Sequence, residues 1–155
     1  MTRDQTELLR LAHAYAVAVD RRDLGALRAL FPPDGAVTSR IGDRVERYAG
    51  HGGLADLLAA VARFDVTVHD VGTQRVTLVD ADRAHGEVLC AAHHVGRRAV
   101  GGAAGSGAAA GDRATDEVLH LRYDDDYRRG GDGRWRIAAR ELRVVAHERR
   151  EVTVA

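Results

Sequence analysis

Three side chains able to move protons stand in stretches that otherwise read as packed interior. Tyr15 and Asp20 belong to Leu8-Leu9-Arg10-Leu11-Ala12-His13-Ala14-Tyr15-Ala16-Val17-Ala18-Val19-Asp20, whose apolar residues recur at helical spacing. His69 belongs to Val66-Thr67-Val68-His69-Asp70-Val71, which reads as a strand. Burying an acid, a phenol and an imidazole is costly unless they hydrogen-bond to one another or line a pocket. A pocket that keeps all three is suited to proton transfer, with the imidazole as base.

The elements that must position them follow from the pattern. Residues 4–20 read as an amphipathic helix, and Arg21-Arg22 breaks its apolar stripe. Asp23 suits the N-cap of a short helix, Leu24 to Leu30, which Phe31-Pro32-Pro33-Asp34-Gly35 stops. Ala36 to Ser39 and Val45 to Ala49 form a hairpin around Ile41-Gly42-Asp43, and a third helix is expected from Leu54 to Phe64. Long strands are expected at about 65–79, 84–97, 114–128 and 134–148. Three helices followed by strand after strand predict a single α+β domain over residues 1–155, with a curved sheet over the helices. Composition also predicts a mobile Gly/Ala-rich hairpin loop at about 98–113, which lacks the Gly-Lys-Ser/Thr ending of a phosphate cradle.

Composition removes several function classes. The 155 residues carry 23 basic and 23 acidic side chains, so no basic stripe invites nucleic acid and no nucleic-acid partner is expected. No apolar stretch approaches the ~20 residues that span a bilayer, no targeting core opens the chain, and no membrane partner is expected. Cys90 stands alone, which excludes an internal disulfide and points to the reducing cytoplasm. All 23 basic residues are arginine, so lysine Schiff-base chemistry is impossible. Neither Ser39 nor Ser106 sits in a nucleophile elbow. Histidines 69, 93, 94 and 120 lack paired metal-ligand spacing, so no metal is expected.

The chain resembles the SnoaL-like branch of the nuclear transport factor 2-like superfamily. The matching residues are Tyr15, Asp20 and Asp23, then Leu27, Leu30, Phe31 and Asp34, then His69, then Ala92-His93-His94. Arg122-Tyr123, Tyr127-Arg128 and Asp132-Gly133-Arg134-Trp135-Arg136-Ile137 with Arg140 complete them. The resemblance implies a cone-shaped α+β fold in which three N-terminal helices and a strongly curved mixed or antiparallel sheet enclose a pocket. It implies homodimers or homotrimers formed through the sheet. Relatives include scytalone dehydratase, bile-acid dehydratase, steroid isomerase, a dehydrochlorinase and polyketide cyclases, which need no cofactor; many others have no known catalysis.

The resemblance implies His69 as general base and Asp20 as the carboxylate that orients it. Tyr15 would donate a hydrogen bond to a substrate carbonyl or protonate a leaving hydroxyl, with a core tyrosine as its structural alternative. A five-residue offset sets Tyr15 and Asp20 about 140° apart around a helix, so they do not share a flush face, but the length of tyrosine and the helix end at Asp20 let both border one pocket. His93 and His94 point to opposite faces of their strand. Ala84, Gly86, Val88, Cys90 and Ala92 make the even positions the apolar face, which places His94 in the pocket. Arg140 stands where relatives carry an arginine that steadies an anionic intermediate, its structural alternative being a salt bridge to Glu141 or Asp124. The expected activity is that of a cofactor-independent lyase, isomerase or cyclase of secondary metabolism, acting on a small apolar carbonyl metabolite of polyketide or terpenoid type. The rival reading is a non-catalytic ligand-binding or assembly protein of the same fold. An epoxide hydrolase, which needs two carboxylates flanking an arginine, is a weaker third.

Overall fold

Thr2 starts the first helix, α1 (Arg3–Asp20), by a capping box: its hydroxyl accepts from the Gln5 N–H, and Gln5 bonds back to the Thr2 N–H. The computed structural model describes residues 1–97 and 113–154. The loop expected at about 98–113 lies outside the described residues except for Arg113, which opens a strand. Asp23 caps α2 (Leu24–Ala29), its carboxylate accepting from the Ala26 N–H at 2.9 Å. The hairpin is β1 (Ala36–Ile41) and β2 (Arg44–Ala49), with Gly42 at φ 58° supplying the left-handed turn residue.

α3 (Gly50–Val61) starts four residues before the expected Leu54 and ends three before Phe64. Apolar periodicity could not see its first turn, Gly50-His51-Gly52-Gly53, because the buried face begins only at Leu54. Four long strands follow: β3 (Val66–Leu78), β4 (Arg83–Arg97), β5 (Arg113–Arg129) and β6 (Trp135–Thr153). β6 outruns its expected end at 148 because β5 keeps pairing with it as far as Arg113 opposite Thr153. Its tail is mostly exposed and charged, so backbone pairing rather than a core pattern sustains it.

The sheet order is β2-β1-β6-β5-β4-β3, mixed because β1 runs parallel to β6 while the other neighbours are antiparallel. It is not closed; β2 and β3 are its edges. Register shifts interrupt β3 between Val71 and Gln74, and β6 at Val145 and Ala138, each an extra residue where it pairs with His120–Leu121 and Asp126–Tyr127 of β5. Such bulges bend strands and re-aim side chains: across Val145 the cavity-lining positions of β6 change from the even-numbered Leu142 and Val144 to the odd-numbered His147.

Leu8 and Leu27, Phe31, Leu54 and Ile137 form the centre of one core cluster, and Ala12, Val88, Cys90, Leu121 and Tyr123 belong to a second. Each large apolar side chain buried there contributes about 1.5–3 kcal/mol. Inside this packing lies one ion pair: Arg140 donates to Asp125 from Nε at 2.8 Å and Nη2 at 2.6 Å, and Tyr127 Oη donates to the same carboxylate at 2.8 Å. Both charged side chains are fully buried. Among the described residues no helix is long and apolar enough to cross a membrane. Replacing Asp125 with Ala strands the Arg140 charge and the Tyr127 hydroxyl in the interior. Urea unfolding is expected to show a loss of about 3–5 kcal/mol, with β-sheet circular dichroism kept at low denaturant.

Candidate active site

The site is built where α1 stops. The Asp23 N–H reaches the Ala18 carbonyl and the Arg22 N–H the Val19 carbonyl, which is the paired bonding of a Schellman motif. The left-handed position of that motif normally holds glycine; here it holds Arg22, at φ 56°. Among the described residues Arg22 alone of the non-glycines has a positive φ, a conformation that costs a side-chain-bearing residue about 1–2 kcal/mol. Asp20 thus becomes the last helical residue and faces the first residues of β3.

Asp20 meets His69 in two ways. Its Oδ1 lies 2.6 Å from His69 Nδ1, and its Oδ2 accepts the His69 backbone N–H at 2.9 Å. The Thr67 hydroxyl donates to Oδ1 at 3.0 Å. Burial pushes the Asp20 carboxyl up, but the His69 ring and backbone donors and the Thr67 hydroxyl outweigh it and hold the group below the usual carboxylate range. An ionised carboxylate only accepts, so Nδ1 carries the ring proton and Nε2 keeps its lone pair.

His69 lines a cavity of about 360 Å³ between the helices and the concave face of the sheet. His94 stands beside it, ring centroids 5.9 Å apart and nearly perpendicular, with Phe64 4.8 Å from the His94 ring. The strand register explains the meeting: Thr67 pairs with His94, and His69 with Ala92. Burial, followed by the neighbouring His69, holds His94 below the ordinary imidazole pKa. Its Nδ1 faces the Glu117 carbonyl at 3.3 Å, which leaves Nε2 as an acceptor. His93 points to the other face and pairs with Asp116 at 2.8 Å.

Tyr15 and Tyr123 bring two phenols to the cavity wall, ring centroids 6.2 Å apart. Burial pushes Tyr15 up to about 12 and Tyr123 well above its ordinary value, so both remain hydrogen-bond donors at neutral pH. Arg140 sits against them, its guanidinium carbon 4.3 Å from the Tyr15 ring centre and 4.2 Å from that of Tyr123. It does not line the His69 cavity, and its carboxylate partner is Asp125, neither Glu141 nor Asp124. Burial opposes the Arg140 charge, yet Asp125 holds it firmly protonated. A larger hollow of about 520 Å³ opens on the other face of the sheet, walled by pairs such as Arg75–Glu87 and His85–Asp126. Among the described residues no group of three His, Cys, Asp or Glu side chains is placed to hold a metal ion.

Sequence reasoning gave no site role to Arg22, Thr67, Phe64 or Tyr123, although Tyr123 stands among the residues that carry the family resemblance. The alternation that selected His69 also places Thr67 on the same face of β3, a signal that was available. Arg22 gave none, since an arginine in a left-handed cap looks like any solvated charge. The depressed Asp20 carboxyl contributes stability in full above its unfolded value of about 3.9, and that contribution is lost as pH falls through the lower folded value. The stability gap between the wild type and an Asp20→Asn variant is therefore expected to be widest at about pH 5 and above, and to close below about pH 4 in urea titrations.

Solved structures share this architecture. A hexachlorocyclohexane dehydrochlorinase, LinA-type3, from Novosphingobium barchaimii LL02 is 21% identical with a TM-score of 0.73, over 98% of this chain and 90% of that one. A scytalone dehydratase-like protein from Novosphingobium aromaticivorans DSM 12444 is 21% identical with a TM-score of 0.70, over 94% and 86%. The Kfla4162 protein from Kribbella flavida is 24% identical with a TM-score of 0.71, over 94% and 93%. At such identities the likeness establishes the fold, the cone of the nuclear transport factor 2-like proteins. No curated protein matches the chain. Residues 1–141 match the SnoaL-like domain, and the chain belongs to that family.

Proposed function

We propose that this protein is a cofactor-independent cytoplasmic lyase, isomerase or cyclase of secondary metabolism, with a small, largely apolar carbonyl compound as substrate and His69 as general base. The observation that carries the reading is the 2.6 Å contact between His69 Nδ1 and Asp20 at the edge of a cavity lined mostly by apolar and aromatic residues, with Arg44, Glu46, Arg63 and Glu117 among its walls. Asp20 holds the ring in the tautomer whose Nε2 accepts a proton and stabilises the imidazolium that results. Two of the structural neighbours are named for dehydration and dehydrochlorination, both eliminations, and they favour the same class here.

In this mechanism His69 Nε2 takes a proton from the carbon beside the carbonyl, and the C–H electron pair becomes an enolate. Tyr15, a neutral phenol at working pH, donates to the enolate oxygen or to a departing hydroxyl. His94, with its pKa held down, has no spare charge at neutral pH; its Nε2 accepts from a substrate hydroxyl and orients it. Arg140 acts as a fixed positive charge behind the two phenols rather than by touching substrate. Collapse of the enolate expels the leaving group, closes a ring or moves the double bond, and the His69 imidazolium returns its proton.

Copies of the chain are proposed to associate as dimers or trimers through the face of the sheet turned from the helices, where Val66, Val68 and Leu89 are exposed. Sedimentation of the wild type as an oligomer and of Leu89→Arg as a monomer is the expected result. For the chemistry, a panel of small β-hydroxy and β-halo carbonyl compounds is incubated with the protein in D2O and followed by proton NMR. Wild-type protein is expected to exchange or eliminate at the α-carbon of at least one compound. His69→Ala is expected to slow that reaction by about two to four orders of magnitude. Undiminished turnover by His69→Ala contradicts the assignment, and binding without exchange favours a ligand carrier.

A further inference from the structure

We infer that Arg22 is a positioning residue for the Asp20–His69 pair, acting through the Thr67 hydroxyl. The inference rests on the reading of that pair as the base, but its test needs no substrate. The Arg22 guanidinium reaches three elements at once. Nη1 donates to the Val19 carbonyl at 2.9 Å, the Asp20 carbonyl at 3.2 Å and Thr67 Oγ1 at 2.6 Å. Nη2 points to the carbonyls of Val61 at 3.4 Å and Phe64 at 3.5 Å. One side chain therefore ties the end of α1, the end of α3 and the start of β3 together, and supplies a cation at the negative C-terminal ends of two helices.

The chemistry of the donors makes the arrangement directional. A guanidinium has no acceptor, so at Thr67 the oxygen must accept from Arg22 and the single hydroxyl proton must go elsewhere. It goes to Asp20 Oδ1. That oxygen, receiving from Thr67 and from the His69 ring, has both lone pairs occupied, and the other oxygen is held by the His69 backbone N–H. Without Arg22 the Thr67 hydroxyl can turn to one of the freed carbonyls, and the carboxylate can rotate away from the imidazole. The backbone supports the same conclusion. Position 22 has the φ that favours glycine, so an arginine there is explained by what its side chain does.

The test reads the proton that His69 Nδ1 shares with Asp20. In wild-type protein labelled with nitrogen-15, this N–H is expected to give a resolved downfield resonance that exchanges slowly with water. Arg22→Gly suits the left-handed backbone and removes only the side chain; it is expected to speed that exchange about tenfold or more, the factor carried by one hydrogen bond to a charged group. Thr67→Val is expected to do the same with Arg22 present, and it decides the question should Arg22→Gly fail to fold. Arg22→Lys and Thr67→Ser, which keep a donor and a hydroxyl, are expected to restore slow exchange. Backbone amides of β3 beyond the bulge, such as Val76, report a merely structural effect and are expected to stay at wild-type rates. Wild-type exchange of the ring proton in Thr67→Val, or in a folded Arg22→Gly, overturns the inference while leaving the base intact. A wild-type protein with no proton on Nδ1 instead overturns the reading of the base.

Discussion

A single hydrogen bond, from the His69 ring to the Asp20 carboxylate, joins two parts of the chain 49 residues apart and gives the cavity a direction. Everything around it answers one requirement: an ionised acid at the C-terminal end of a helix is electrostatically misplaced unless donors surround it. The start of β3 supplies three donors to that carboxylate, and the cap of α1 adds a cation beside the helix end. Thr67 and His69 give a hydroxyl, a backbone amide and a ring N–H, and Arg22 cancels the helix-end field behind them. The geometry thus converts an unfavourable burial into a fixed tautomer, which is the property a general base needs.

A fully buried charge pair stands farther along the same concave face, and it plays a different part. Arg140 and Asp125 bond through two parallel contacts, and neither is open to water. Such a pair adds little net stability compared with apolar packing, but it places a permanent cation against the rings of Tyr15 and Tyr123. The site therefore holds two polarities, an acceptor at His69 and donors at the phenols, separated by apolar residues such as Leu121 and Val144. That separation favours a substrate whose carbonyl and acidic C–H lie on a largely apolar frame.

The broad fold was legible because its signals are periodic. The helical stripe from Leu8 to Val19 and the even-numbered small residues of β4 are burial patterns, and the structure buries Leu8, Leu11, Ala84, Val88 and Ala92 accordingly. The start of α3 and the tail of β6 were not legible, since one begins with a glycine-rich turn and the other is exposed on both faces. The same distinction holds within the site. His69, His94 and Tyr15 interrupt apolar patterns and so stand out. Arg22 lies outside any pattern, and its importance comes from a backbone conformation that no residue type announces. Arg140 was visible, but its register opposite Asp125 follows a bulge at Ala138 of β6, which local alternation cannot reveal.

The account turns on where one proton sits. Nitrogen-15 NMR of the histidine rings, recorded at a pH where His69 is neutral, distinguishes a protonated from a bare ring nitrogen directly. The account predicts the proton on His69 Nδ1, coupled to Asp20, and a bare Nε2 facing the cavity. A His69 ring protonated at Nε2, with Nδ1 bare, would leave the cavity without its base and contradict it.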